Sequence, residues 1–174
     1  ILWLWYFFFY LMKISTWNVN SINARIEHLV KFIKKDQSDI YLLQELKTIE
    51  ESFPKEALKK EGYYSYVNGQ KAWNGVAIIS KKSLKITNTS IPNYDDSNSR
   101  LIETEIKLKK IKKNIKLINI YLPNGNPIET EKFDYKIEWM KKFNSYIQDL
   151  KNKNIPIIIS GDFNVIPSDD DVYS

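Results

Sequence analysis

Apolar runs and polar breaks alternate along this chain with two distinct periods. Residues 14–19 (Ile14-Ser15-Thr16-Trp17-Asn18-Val19) read as a buried strand. Ser21 stands where a helix N-cap is expected. Ile22, Ile26, Leu29, Val30 and Ile33 then recur at helical spacing to about Lys35. A second apolar strand over 39–45 ends in a carboxylate, Glu45. A short helix over 53–60 is stopped by Gly62. Strands over 63–68 and 75–80 enclose the polar loop Gly69-Gln70-Lys71-Ala72-Trp73-Asn74. Further strands are predicted over 84–89, 101–108 and 115–122, the last two joined as an antiparallel hairpin through a Lys-rich turn at 109–114. Residues 130–150 form a long amphipathic pattern carrying Phe133, Ile137, Met140, Phe143 and Ile147, and residues 155–160 a closing strand.

Strands alternating with helices predict an α/β fold with a mixed sheet and flanking helices. Several strands end in polar groups: Asn18 after the first, Glu45 after the second, Asp162 and Asn164 after the last. Parallel neighbours in such a sheet bring these ends to one edge, where open α/β folds bind ligands. Asp162 and Asn164, two apart on an extended chain, face the same way. Carboxylates and amides without Cys and with little His suit a hard divalent cation, best Mg²⁺, with Glu45 as its direct ligand. Phosphoester hydrolysis also needs a proton handler and donors for developing charge. Asp162 can orient water or handle a proton, Asn164 can donate to phosphate, and Tyr121 at another strand end can donate its hydroxyl. Plainer roles stay open for each: an Asx turn for Asp162 and Asn164, a helix cap or surface acid for Glu45, a core ring for Tyr121. Trp73 and Asn74 can stack on or hydrogen-bond to DNA, or simply belong to an exposed loop. His28 lies away from every strand end and reads as a surface histidine.

With no cysteine, disulfides and Cys-based zinc sites are excluded, and a reducing cytoplasm is expected. The net charge of +5 favours an anionic partner such as nucleic acid, although lysine pairs such as Lys34-Lys35 and Lys59-Lys60 equally suit a solvated surface. Residues 1–11 are wholly apolar and aromatic, too short for a bilayer span of roughly 20 residues. They lack a signal peptide's basic start and small-residue cleavage site, so membrane attachment is not expected, although an interfacial anchor is the rival. Met12 follows directly, and the natural protein is expected to start there, with 12–174 as part of a single domain.

Ordered along the chain, Trp17-Asn18-Val19-Asn20-Ser21-Ile22-Asn23-Ala24-Arg25, Leu43-Gln44-Glu45-Leu46-Lys47, Asn74-Gly75-Val76-Ala77-Ile78, Asn119-Ile120-Tyr121-Leu122-Pro123-Asn124-Gly125 and Gly161-Asp162-Phe163-Asn164-Val165-Ile166-Pro167 resemble the exodeoxyribonuclease III family. This is the bacterial apurinic/apyrimidinic endonuclease branch of the endonuclease/exonuclease/phosphatase superfamily. The resemblance implies a four-layer α/β sandwich, of which this chain holds about the first half. It implies Mg²⁺- or Mn²⁺-dependent hydrolysis of DNA phosphodiesters in base excision repair, on double-stranded DNA with abasic sites or 3′ ends, without a stable protein partner. It draws the metal site from Glu45, Asn18, Asp162 and Asn164, and the catalytic groups from Tyr121, Asp162 and Asn164. Asn20, Arg100 and the loop carrying Lys71, Trp73 and Asn74 fall where relatives touch DNA. The family's later Asp and its Asp-His pair have no counterpart here. A second sheet is therefore expected to be missing, and the 174-residue chain alone to be unstable and nearly inactive. Two rivals remain: a phosphatase or lipid-directed esterase of the same superfamily, and a non-catalytic DNA-binding module.

Overall fold

A computed structural model describes residues 12–107, 114–166 and 168. The apolar segment at 1–11 and most of the predicted Lys-rich turn lie outside the described residues. The chain begins with a parallel crossover. Strand β1 (Ile14–Asn18) leads through helix α1 (Ile22–Asp36) to strand β2 (Ile40–Gln44), which lies parallel to β1. A single 3₁₀ turn (Glu50–Ser52) and helix α2 (Lys55–Lys60) then lead to strands β3 (Tyr64–Asn68) and β4 (Val76–Ser80). Strand β5 (Lys85–Asn88) is followed by the antiparallel pair β6 (Leu101–Ile106) and β7 (Ile115–Tyr121). Helix α3 (Glu131–Asn152) is the second crossover, returning the chain to β8 (Ile157–Asp162), parallel to β7.

Instead of one mixed sheet there are two, each four-stranded, in the orders β1-β2-β4-β3 and β5-β6-β7-β8. The expectation that this chain lacks its second sheet is thus corrected. The reason lies in the burial of β2 and β4, whose residues are all buried. Tyr41, Leu43, Ala77 and Ile79 face α1 and α2, where they meet Leu29, Ile33 and Leu58. Ile40, Leu42, Val76 and Ile78 face the other sheet and meet Ile102, Ile106, Ile115 and Leu117. Strands buried on both faces read as continuous apolar runs, and such runs need a layer on each side. On the outer face of the second sheet, Leu101, Ile118 and Ile120 pack against Trp139, Phe143 and Leu150 of α3. The result is helix, sheet, sheet, helix.

Two local expectations also change. Ser21 precedes α1 but its side chain makes no capping bond; its φ of 82° lies outside the extended region an N-cap usually takes. The buried stripe of α3 runs through Trp139, Phe143 and Leu150, flanked by half-buried Tyr135 and Tyr146, while Met140 is exposed. Large aromatic rings on the neighbouring helical row took the core position that the spacing alone assigned to Met140. His28 is exposed on α1, as expected. Among the described residues, no helix is long and apolar enough to cross a membrane.

At the sheet edge opposite the polar strand ends, Asp36 closes α1 with a cluster of bonds. Its carboxylate takes the Lys13 ammonium at 2.6 Å, and the hydroxyls of Ser38 at 2.5 Å and Ser15 at 3.1 Å. Burial opposes the charge, but these donors outweigh it and hold the carboxyl well below its ordinary range. A carboxylate more acidic when folded contributes stability that is complete above its unfolded pKa and is lost as pH falls through the folded one. Urea stability is therefore expected to start declining below about pH 5 and to keep falling through the acid range toward the folded pKa, and Asp36→Asn to flatten that decline.

Candidate active site

The polar ends of β1, β2, β7 and β8 meet at one edge of the sandwich. Strand register accounts for much of this. Pairing of Asn18 with Gln44 puts Asn18 beside the residue that follows β2, and pairing of Tyr121 with Asp162 sets those two side by side. Gly161 permits the second juxtaposition. At a φ of +142° its Cα lies so close to β7 that a Cβ would stand 2.0 Å from the Ile120 carbonyl oxygen.

Glu45 sits at the centre. Its φ is 52°, and Lys47, two residues on, shares that left-handed value. Such conformations are costly for residues with side chains and persist only where the surroundings hold them. Here four backbone bonds do so: Ser21 N–H to Glu45 O (2.8 Å), Ile22 N–H to Leu46 O (3.1 Å), Leu46 N–H to Gly75 O (3.1 Å) and Lys47 N–H to Asn74 O (3.0 Å). The strained segment aims the Glu45 carboxylate and the Lys47 ammonium at each other, with Lys47 Nζ 3.0 Å from Oε2. Oε1 accepts from Asn18 Nδ2 at 2.8 Å and from the Tyr121 hydroxyl at 2.9 Å. The same Asn18 amide donates to Asp162 Oδ2 at 2.8 Å, so one carboxamide bridges two carboxylates.

These bonds set the charge states. Burial pushes the Glu45 pKa up, but donors from Asn18, Lys47 and Tyr121 and the Lys47 charge outweigh it and leave the carboxyl below its usual value. Burial, the bond to Glu45 and the Glu45 charge push the Tyr121 hydroxyl up to about 12, against the pull of Arg100. At neutral pH the site therefore presents an ionised acceptor and a neutral phenol that can only donate to an anion.

Other candidate residues divide. Asn20 joins the cluster: its Oδ1 accepts from Lys47 Nζ at 2.5 Å, and its N–H donates to Asn18 Oδ1 at 3.1 Å. Asn164 adjoins it, but not on an extended chain. The strand ends at Asp162, Asn164 has a φ of 46°, and its N–H closes an Asx turn on Asp162 Oδ1 at 2.9 Å. Its Nδ2 is committed to Leu122 O at 2.6 Å. Arg100 lies behind Tyr121, its guanidinium 5.1 Å from that ring and 5.6 Å from Tyr135, with Nη1 on Tyr121 O at 3.2 Å. Asn74 is buried at 7% exposure and braces its own loop through Gln70 Oε1 (3.0 Å) and Asn98 Oδ1 (3.1 Å), unlike the exposed loop position expected of it. Lys71 is exposed, and Trp73 is 71% exposed beside it. Beside the carboxylates opens a cleft of about 510 Å³ whose lining includes Trp17, Asn18, Asn124, Asp162 and Asn164.

Sequence reasoning gave no role to two residues that the structure places here. Lys47 could have been found from its spacing of two from Glu45. Asn119 could have been found as the one amide in an otherwise apolar stretch of β7. Asn119 is fully buried between the sheets, donating to Leu43 O (2.9 Å) and Ala77 O (2.8 Å) and accepting from Gln44 Nε2 (2.7 Å). It thereby fixes β2, which leads directly into Glu45, to β7, which carries Tyr121. Truncation by Asn119→Ala strands these buried partners at about 1–3 kcal/mol each. Urea unfolding is expected to show a loss of at least about 2 kcal/mol.

Among the described residues, no cluster of three or more His, Cys, Asp or Glu side chains is present. Two carboxylates within reach of one amide, with the rest of the shell left to water and phosphate oxygens, is nevertheless the arrangement Mg²⁺ accepts. The residues fit such an ion, with Glu45 and Asp162 as the charged donors. As oriented, Asn18 turns its N–H groups toward the carboxylates, which suits an orienting amide.

Residues 15–174 match the endonuclease/exonuclease/phosphatase family. The chain is 35% identical over 167 residues to exodeoxyribonuclease III of Haemophilus influenzae, covering 92% of this chain and 60% of that protein. It is 30% identical to an exodeoxyribonuclease of Bacillus subtilis, covering 88% of this chain and 59% of the relative. It thus spans about three fifths of the length of these relatives. Among solved structures, a 3′ phosphatase from Neisseria bound to product DNA hairpin superposes with a TM-score of 0.84 at 33% identity, covering 94% of this chain and 62% of that one. An AP endonuclease from Archaeoglobus fulgidus gives 0.82 at 31%, with the same coverage. On sequence, fold and the convergence of its strand ends, this chain belongs to the endonuclease/exonuclease/phosphatase family.

Proposed function

We propose that the protein hydrolyses phosphodiesters of double-stranded DNA at abasic sites and 3′ ends in base excision repair, using Mg²⁺ or Mn²⁺, in the cytoplasm. The observation that carries this is the shared hydrogen-bond cluster of Asn18, Glu45, Tyr121 and Asp162 at the strand ends. It has the charge and donor pattern that phosphoryl oxygens and a hard cation require. A bound divalent ion would supply Lewis acidity and charge neutralisation at the scissile phosphate. Glu45 would hold that ion, its carboxylate kept ionised and oriented by Asn18. The Tyr121 hydroxyl, protonated at neutral pH, would donate to a phosphate oxygen. Asp162 would take a proton from the attacking water or pass one to the leaving oxygen. Lys47, with its ammonium between Glu45 and Asn20, would add positive charge beside the phosphate. Lys71 and the exposed Trp73 would meet the DNA backbone on the flank, with Arg100 supporting Tyr121 from behind. Names of the relatives support this choice of chemistry: exodeoxyribonuclease III, AP endonuclease and a phosphatase bound to product DNA.

The test is incision of a duplex with one abasic site, and degradation of a recessed 3′ end, by the full-length protein with and without Mg²⁺. Metal-dependent cleavage of either is the expected result. Salt-sensitive binding without cleavage, or preference for a phosphoinositide over abasic duplex, would overturn the proposal.

A further inference from the structure

Tyr121 and Asp162 face each other because β7 and β8 are in register, but both are the last residues of their strands. Beyond them a single backbone bond, from Leu122 N–H to Asp162 O (2.9 Å), carries on between the two loops. The loop after Tyr121 runs through Leu122, Pro123, Asn124 and Gly125, and the loop after Asp162 through Phe163 and Asn164. A side chain from outside both sheets joins them. Lys136, in the second turn of α3, places Nζ 3.0 Å from Asn124 O and 2.7 Å from Asn164 O. One ammonium thus donates to a backbone carbonyl in each loop.

The surroundings are shaped to this contact. Gly125 has a φ of +76°, and a Cβ there would stand 2.5 Å from Lys136 Cδ and 3.0 Å from Lys136 Cβ. Only a residue without a side chain leaves the lysine stem its path. On the other loop, Asn164 adopts a left-handed φ of 46°, set by the Asx turn of its N–H on Asp162 Oδ1 at 2.9 Å. Its amide on Leu122 O (2.6 Å) and the Leu122 N–H on Asp162 O (2.9 Å) complete a bridge that the lysine closes from the helix side.

We infer that Lys136 is a positioning residue that locks the Tyr121 loop to the Asp162 loop and so holds the phenol and the carboxylate at their working separation. The inference deepens the proposed function and rests on it for its kinetic consequence. The contact with Asn124 is exposed and that with Asn164 part-buried, so water can reach the carbonyls in place of the ammonium, and loss of the clip should loosen geometry more than it destabilises the fold. Misplacement of catalytic groups by about an ångström is enough to lower turnover by up to about 100-fold.

The experiment compares the full-length protein with its Lys136→Met and Lys136→Arg variants in two assays. Abasic-duplex incision with Mg²⁺ is expected to show kcat falling on the order of 10- to 100-fold in Lys136→Met, with KM within about threefold. Lys136→Arg, which keeps a cationic donor, should regain most of the loss. Hydrogen exchange should quicken at the Leu122 and Asn164 amides in Lys136→Met and stay unchanged in β4. Unaltered kcat, or unaltered exchange at those two amides, would overturn the clip. If the unsubstituted protein cleaves no DNA, the proposed function fails, and the exchange result alone decides the clip. Should Lys136→Met not fold, Gly125→Ala displaces the lysine stem from the other side and is read by the same two assays.

Discussion

Glu45→Gln is expected to lower metal-dependent cleavage by at least about 100-fold while leaving the fold in place. The substitution keeps the shape of the side chain. Its remaining oxygen can still accept from Asn18 and Tyr121, which now bond Oε1 at 2.8 and 2.9 Å. What disappears is the negative charge. The other position becomes an NH₂ group pointed at the Lys47 ammonium, where 3.0 Å now separates opposite charges. Two donors then face each other in a partly buried site, and Lys47 loses its counterion. A divalent cation would meet only the Asp162 charge. Calorimetric titration with Mn²⁺ should show weakened binding in step with the lost rate, and the thermal midpoint should move little. Activity retained within about threefold would show that Glu45 is not the metal's anchor.

Gly161→Ala should have the largest effect on stability, more than about 4 kcal/mol, enough to prevent folding of a marginal domain. An added Cβ would lie 2.0 Å from Ile120 O and 2.8 Å from Ile120 N. Those are backbone atoms of the neighbouring strand and cannot rotate aside. Relief requires β8 to separate from β7, which breaks the Tyr121–Asp162 register and removes Asp162 from Asn18. Gly62→Ala is the matched comparison. Gly62 also has a left-handed φ, +87°, but nothing lies within 4 Å of its Cβ position. Its substitution should therefore show only the backbone term, roughly 1–2 kcal/mol. Thermal unfolding of the two variants separates steric collision from conformational preference, and equal losses would mean that the close approach at Gly161 is relieved more easily than the geometry implies.

The elements and the site were legible in the sequence to different degrees. Each helix and strand appears near its predicted place, because one buried face imposes a period of 3.6 or 2 on the chain. The polar strand ends were legible too, since Asn18, Glu45 and Asp162 each interrupt an apolar run. Pairing was not. An apolar strand carries no label for its neighbour, so β5–β8 could not be assigned to a separate sheet until both faces of β2 and β4 were seen to be covered. The stripe of α3 shifted to Trp139 for a related reason: neighbouring rows of a helix are equally periodic, and the partner surface selects one. Asn74 resembled an exposed loop residue but is buried by a contact with Asn98, 24 residues away.

By itself, the sequence determined which residues are apolar at which period, where the strands end, and the types of chemical group at those ends. These depend on local spacing and composition. Only the tertiary structure decided that one Asn18 amide would bridge Glu45 and Asp162, that Lys47 would neutralise Glu45 through a strained turn, and that Lys136 of α3 would reach two loops at once. Each of these contacts joins segments brought together by strand register or helix docking, and their distances are fixed by packing that no local pattern encodes.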